Sequence, residues 1–134
     1  MTEKTHAVPN GVIHYWMNDF QPGRAVLVFL PGLTADHRLF DKQVEAFEST
    51  YNLLAWDAPG HGKSRPFVMD FTLAQKAAWL HAILQAEDIT APVLVGQSVG
   101  GYLSQAYIQA YPGEVRGFVS ICLLYTSDAA DDMQ

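Results

Sequence analysis

A serine between two glycines lies where an apolar strand pattern gives way to a helical one. Residues 93–101 read Val-Leu-Val-Gly-Gln-Ser-Val-Gly-Gly, which places Ser98 between Gly96 and Gly100. Small neighbours let the backbone turn sharply there without Cβ collisions, so that the serine hydroxyl projects beyond the edge of a sheet. The first turn of the following helix adds unpaired N–H groups and a positive dipole end, which favour a developing oxyanion. We therefore predict that Ser98 is a catalytic nucleophile.

The motif Gly-x-Ser-x-Gly also occurs by chance in loops, so the elements on either side of it must support this interpretation. Residues 92–95 are bounded by proline and glycine and are rich in valine, which predicts a strand. Residues 99–111 carry apolar side chains at helical spacing until Pro112-Gly113 ends the pattern. This strand–turn–helix context favours a catalytic turn over an accidental loop.

Strand patterns recur along the rest of the chain. Asn10-Gly11 lies between two alternating apolar runs and predicts an antiparallel hairpin at the N-terminus, with strands at residues 5–8 and 12–16. Continuous apolar runs predict strands buried in a parallel sheet, at residues 25–30, 51–56 and 115–121.

Helical spacing is present between these strands. One segment has four apolar residues on a single face, namely Leu39, Phe40, Val44 and Phe47. Another begins at a capping box and is expected to bury five apolar residues; the box is Thr72 with Gln75, and the five are Leu73, Ala77, Leu80, Ile83 and Leu84. The alternation predicts the α/β class: a mostly parallel sheet with helices on both faces, opened by the hairpin. The loops that leave the carboxyl ends of the strands should converge on one rim, where ligands bind.

These motifs resemble the α/β-hydrolase superfamily from about residue 12 to residue 121, in the order that the family uses. Leu30-Pro31-Gly32-Leu33 is similar to the family's oxyanion loop. The resemblance implies that the backbone N–H groups of Leu33 and Val99 form the oxyanion hole. Residues 57–64 are similar to the family's Asp-x-x-Gly-x-Gly-x-Ser loop, which is mainly architectural, and they are given no catalytic role.

The mechanism that this resemblance implies is acyl transfer through a covalent serine ester, as in esterases and lipases. A serine at position 98 disfavours the family's dehalogenases and epoxide hydrolases, which carry aspartate there. We expect a small ester-like substrate, no cofactor and no metal, because no metal-ligand cluster stands out in the sequence. The substrate itself cannot be inferred. A binding module without catalysis, holding a small ligand above Ser98, is the alternative, although such a module needs no serine at this turn.

The sequence departs from the family in one respect. The family places its acid and its histidine after the serine, yet all five histidines of this chain precede Ser98. His37 and His61 are expected near the rim and could approach the pocket. Loop packing or a substrate contact is the favoured role for both, because proton transfer requires hydrogen-bond reach to Ser98.

The last thirteen residues do not continue the family's pattern. Residues 122–127, Cys-Leu-Leu-Tyr-Thr-Ser, closely resemble a translated sequencing adapter, TGT CTC TTA TAC ACA TCT. We therefore interpret residues 1–121 as the N-terminal part of one α/β-hydrolase domain that lacks its C-terminal strands, and residues 122–134 as a non-native tail. A frayed acidic C-terminus is the alternative. In either case the triad is incomplete, and the fragment is expected to be inactive.

Composition restricts the classes of partner. The formal charge is −6, which argues against a nucleic-acid ligand. No apolar stretch is long enough to span a bilayer and no signal peptide is visible, so we expect no membrane partner and a cytoplasmic location. The single cysteine permits no intramolecular disulfide. The oligomeric state is left open.

Overall fold

A computed structural model of the chain describes residues 1–121, and the tail predicted at residues 122–134 lies outside the described residues. Six strands form one sheet: β1 (Thr2–Val8), β2 (Gly11–Met17), β3 (Val26–Leu30), β4 (Asn52–Trp56), β5 (Val93–Gln97) and β6 (Gly117–Ile121). Three α-helices pack on it: α1 (Asp41–Phe47), α2 (Leu73–Ala86) and α3 (Val99–Ala110). None of these helices combines the length and the apolar character needed to cross a bilayer.

The strand order is β1-β2-β4-β3-β5-β6. β1 and β2 pair antiparallel around Asn10-Gly11, and β2 also pairs antiparallel with β4, while β3, β4, β5 and β6 run parallel. The predicted α/β class and N-terminal hairpin are therefore confirmed. β1 begins three residues earlier than predicted, because the polar residues of this exposed edge strand gave no apolar alternation to follow.

The core has two layers because alternate strand residues point to opposite faces of the sheet. On one face, Val28 and Leu54 pack with α2 and α3. On the other face, Phe29 and Leu53 pack with Phe40, the residue immediately before α1 in sequence. Helices therefore cover both faces, as predicted, and the carboxyl ends of β3, β4 and β5 share one rim.

Helix α2 begins at the predicted capping box. The Thr72 hydroxyl accepts the Gln75 N–H at 3.1 Å, and Gln75 Oε1 accepts the Thr72 N–H at 2.7 Å. The prediction that Leu73 is buried is wrong: it is 42% exposed, because it lies in the first turn, where the helix has not yet reached the sheet. Lys76 is buried instead, and this burial lowers the pKa of its ammonium group.

The segment before β4 also differs from the prediction. A 3-10 turn, His37–Phe40, precedes α1, and the tighter turn rotates side chains away from the face that uniform helical spacing predicts. Phe40 is buried and stacks on Phe29 with ring centroids 4.8 Å apart. Leu39 and Phe47 remain exposed, so only part of the predicted apolar face contacts the core.

Candidate active site

Ser98 occupies the turn between β5 and α3, in the strand–turn–helix context that the sequence predicted. Its backbone has φ 57° and ψ −114°, a combination that residues with a Cβ rarely adopt. The Ser98 N–H donates to the Ile121 carbonyl at 2.9 Å, and the Ser98 carbonyl accepts the Gly101 N–H at 2.8 Å. The residue is half-buried. The turn is thus fixed through its backbone, and Ser98 itself is not fully buried.

The glycines of the motif are required for space, and their φ angles are not positive. A Cβ on Gly96 would overlap the Gly100 carbonyl, and a Cβ on Gly100 would overlap the Leu30 carbonyl. These neighbours are backbone atoms, which cannot rotate away as a flexible side chain can. The motif therefore allows β5, α3 and the end of β3 to approach one another closely.

The loop after β3 lies directly against this turn. A Cβ on Gly32 would lie 2.5 Å from Gln97 Oε1 and 3.0 Å from Ser98 Cβ. The Gly32 N–H donates to Gln97 Oε1 at 2.6 Å in a buried hydrogen bond. Leu33, the next residue, is 63% exposed. The structure thus brings the predicted oxyanion loop beside Ser98.

Two backbone N–H groups are available at this junction. Among residues 1–121, neither the Leu33 amide nor the Val99 amide donates to a protein acceptor. Val99 is the first residue of α3, so its N–H has no partner within the helix and lies at the positive end of the dipole. An anionic oxygen at the mouth of the turn is a ligand that suits such donors.

Asp57, by contrast, is a buried structural anchor. Its Oδ1 accepts the His37 N–H and the His37 Nδ1–H, each at 2.8 Å, and its Oδ2 accepts the Lys63 N–H at 2.8 Å. Asp57 is 1% exposed. The carboxylate closes its own turn, and it also ties that turn to the segment that follows the predicted oxyanion loop.

The two candidate rim histidines are both engaged elsewhere. The His37 ring stacks on Trp16, with centroids 3.5 Å apart and planes 15° apart, while its Nδ1 donates to Asp57. His61 Nδ1 donates to the Pro59 carbonyl at 3.2 Å. Within residues 1–121, no hydrogen bond joins either ring to Ser98. Their contacts match the packing role that the sequence favoured.

Asp36, His37 and Asp57 form a cluster that sequence spacing did not indicate, since its members come from two separate segments. Their ligand-type atoms lie within 4.8 Å of one another. Asp36 already binds Arg38 through both carboxylate oxygens, and both oxygens of Asp57 accept N–H donors. The Arg38 guanidinium lowers the pKa of Asp36 to about 2. These commitments fit a network that fixes a loop and do not suggest a metal site.

Tyr102 lies in the first turn of α3 and is 65% exposed. It follows Ser98 by four residues. Tyr102 and Leu33 are thus the exposed apolar residues closest in sequence to the proposed nucleophile and to the oxyanion loop.

Several known proteins are similar in sequence to this chain. A family profile described as alpha/beta hydrolase fold matches residues 25–134. The magnesium-chelatase 30 kDa subunit of Rhodobacter capsulatus is 32% identical over 96 residues, which cover 70% of this chain and 34% of that protein. The uncharacterized hydrolase YugF of Bacillus subtilis is 30% identical over 116 residues, which cover 84% of this chain and 42% of that protein. The chain thus spans less than half the length of these relatives.

Solved structures share the fold at lower identity. Est816, described as an N-acyl homoserine lactone degrading enzyme, matches with a TM-score of 0.80 at 22% identity, over 87% of this chain and 44% of that chain. An AqdC variant, described as recognising and cleaving the ring of the Pseudomonas quinolone signal, matches with a TM-score of 0.82 at 24% identity, over 93% of this chain and 47% of that chain. The profile match covers most of the sequence, and the chain therefore belongs to the alpha/beta hydrolase fold family.

Proposed function

We propose that Ser98 is the nucleophile of a serine hydrolase that cleaves an ester or a related acyl bond in a small molecule. The observation that carries this proposal is the Ser98 backbone, with φ 57° and ψ −114° at a turn where the residue is only half-buried. Strain of this kind persists only where the surrounding structure imposes it, and it clusters at functional sites. The relative YugF, named as a hydrolase, supports the same class of reaction.

The proposed reaction has two halves. Ser98 Oγ attacks the acyl carbon, its proton passes to a general base, and the leaving group departs with a proton as the tetrahedral intermediate collapses. Water then hydrolyses the serine ester, which releases the carboxylic acid and restores the hydroxyl. We propose that the Leu33 and Val99 amides donate to the oxyanion in both halves, where charge develops on the former carbonyl oxygen.

The general base and its acid are proposed to come from outside the described residues. The relatives named above are more than twice as long as the segment that they share with this chain. We propose that residues 1–121 are part of a longer hydrolase, the parent protein. We also propose that residues 122–134 are translated adapter. Sequencing reads across the codon of residue 121 test the adapter proposal. Alone, residues 1–121 should turn over little, because loss of the histidine costs several orders of magnitude.

Labelling with a fluorophosphonate tests the nucleophile directly, because the probe forms a covalent bond only with an activated serine. We expect the parent protein to be labelled at Ser98 and Ser98→Ala to be unlabelled. Ser49→Ala, at an exposed serine just after α1, is the matched control and should label as the unsubstituted protein does. An unlabelled parent protein, folded as judged by a cooperative melt, would contradict the proposal.

A small-molecule binding module without catalysis is the second candidate. Two observations favour it: one relative is named as a chelatase subunit, and no histidine of residues 1–121 is hydrogen-bonded to Ser98. In that case a fluorophosphonate would leave the parent protein unlabelled. The same labelling experiment therefore separates the two candidates.

A further inference from the structure

The residue before Ser98 forms a contact that neither the motif nor the family resemblance assigns. Gln97 ends β5 and is 8% exposed. Its Oε1 accepts the Gly32 N–H at 2.6 Å, across 65 positions of sequence. A buried amide oxygen on the elbow thus holds the first part of the oxyanion loop.

Gly32 is the residue that makes this contact possible. Besides its approach to Oε1, a Cβ at this position would lie 2.7 Å from the Gln97 carbonyl oxygen, closer than real Cβ atoms lie. Only glycine lets the loop backbone rest against Gln97 and Ser98 together. The hydrogen bond and the missing side chain therefore act on the same junction.

The second anchor of Gly32 sets the direction of the next N–H. The Gly32 carbonyl accepts the Ala35 N–H at 3.2 Å. In a trans peptide, the carbonyl of one residue and the N–H of the next lie in one plane and point in opposite directions. The bond to Ala35 therefore holds the peptide plane that carries the Leu33 N–H, and the bond to Gln97 holds the peptide plane before it.

We infer that Gln97 is a positioning residue for the oxyanion hole, holding the Leu33 amide in register with the Val99 amide. This inference rests on the proposed function. Val99 follows Gln97 by two residues on the same rigid turn, so one side chain couples the two halves of the hole. A neutral amide suits this place, because it accepts the Gly32 N–H without adding a negative charge beside a developing oxyanion.

The substitution Gln97→Met tests this role in the parent protein, because methionine has similar length but no amide oxygen. With p-nitrophenyl acetate as the probe, and with active sites counted by fluorophosphonate, we expect kcat to fall about tenfold to a hundredfold while KM changes by less than about twofold. The effect falls on kcat because a displaced donor weakens transition-state binding and not ground-state binding.

Asn52→Leu is the matched control, since Asn52 is another buried amide that clamps backbone. It accepts the Gln21 N–H at 2.9 Å and donates to the Gln21 carbonyl at 2.9 Å, at the opposite end of the sheet. We expect Asn52→Leu to lower stability and to leave kcat per titrated site unchanged. An equal loss of kcat in both variants would show a merely structural role and overturn the inference.

Amide hydrogen exchange at Gly32 gives a readout that does not depend on turnover. We expect slow exchange in the unsubstituted protein, faster exchange in Gln97→Met, and restored protection in Gln97→Glu, which keeps an acceptor oxygen. Normal kcat or unchanged Gly32 exchange in Gln97→Met would overturn the inference while Ser98 labelling still upheld the proposed function. Absence of Ser98 labelling in the unsubstituted parent protein would overturn both.

Discussion

Two glycine-rich turns leave the same rim of the sheet, and each carries a serine, but the two serines differ in burial and in hydrogen bonding. Ser64, after β4, is fully buried, and its hydroxyl donates to the Asp57 carbonyl at 2.6 Å and accepts the His14 N–H at 2.9 Å. Ser98, after β5, is half-buried, and its hydroxyl has no hydrogen-bond partner among residues 1–121. One serine is committed to structure, and the other is left available.

The backbones of the two turns differ in the same way. In the turn after β4, positive φ angles fall on glycines, Gly60 at 85° and Gly62 at 50°. In the turn after β5, the positive φ falls on Ser98, although glycine would avoid the strain. A strained residue of this kind costs about 1–3 kcal/mol. Retention of a hydroxyl at that cost is a stronger pointer to function than the motif alone.

The largest effect should come from the space that the elbow requires. Gly100→Ala would push a Cβ into the Leu30 carbonyl, and we expect a loss of about 3 kcal/mol in the free energy of unfolding, at the upper end for overpacking. Gly101→Ala is the control on the same helix, since its Cβ would lie 3.3 Å from the Ser120 hydroxyl, which can move. It should change stability by less than about 1 kcal/mol. Urea unfolding of both variants checks this; equal losses would contradict the close approach of α3 to β3.

Replacing each of the two serines by alanine should have different effects on stability. Ser64→Ala leaves the part-buried His14 N–H without its acceptor, and we expect it to cost about 1–3 kcal/mol. Ser98→Ala removes no hydrogen bond seen in residues 1–121 and should change stability by less than about 0.5 kcal/mol. Thermal melts measure the stability change of both variants, and fluorophosphonate labelling measures whether each variant still carries a reactive serine. If Ser98→Ala proved the more destabilising, the hydroxyl would have a structural partner after all.

Ser98→Gly sharpens the same comparison by removing strain together with the hydroxyl. Glycine adopts positive φ readily, but it loses more chain entropy on folding, by about 0.5–1 kcal/mol. We expect a net gain of about 1 kcal/mol in stability, with labelling abolished, as in Ser98→Ala. Both variants lack the hydroxyl, so the difference between their melting temperatures reports the backbone strain at residue 98. A glycine variant no more stable than the alanine variant would mean that the turn stores no strain.

Much of this architecture was predictable from local pattern. Asn10-Gly11 predicted the hairpin, apolar runs predicted the strands, and the Thr72–Gln75 box predicted where α2 begins. Each of these signals is carried by residues that lie near one another in sequence. The strand–turn–helix placement of Ser98 follows for the same reason.

Other features depend on contacts between distant segments and could not be predicted. The hydrogen bond of Gly32 to Gln97 spans 65 positions, and that of His37 to Asp57 spans 20. The exposure of Leu73 and Tyr102 likewise depends on where a helix ends relative to the sheet, which periodicity does not encode. Gln97 could have been suspected only from its place: a polar residue at the end of a buried strand requires a partner.

The segment that follows the predicted oxyanion loop should show the smallest effect, and that effect depends on pH. Asp36 begins the 3-10 turn, where the Arg38 side chain and backbone N–H hold the pKa of the carboxyl at about 2. Because the folded-state pKa lies below the usual value of 3.8, ionised Asp36 stabilises the fold above about pH 4, and this contribution is lost as pH falls toward about 2. Asp36→Asn keeps a capping oxygen but lacks the charge, so near neutral pH it should cost less than about 1 kcal/mol.

Differential scanning calorimetry of the parent protein and of Asp36→Asn between neutral pH and about pH 2 checks this expectation. The difference in melting temperature should shrink steadily below about pH 4. In an Arg38→Gln background most of that pH dependence should disappear, because the guanidinium is the main cause of the lowered pKa. A difference that persists at low pH would mean that Asp36 acts through its cap alone.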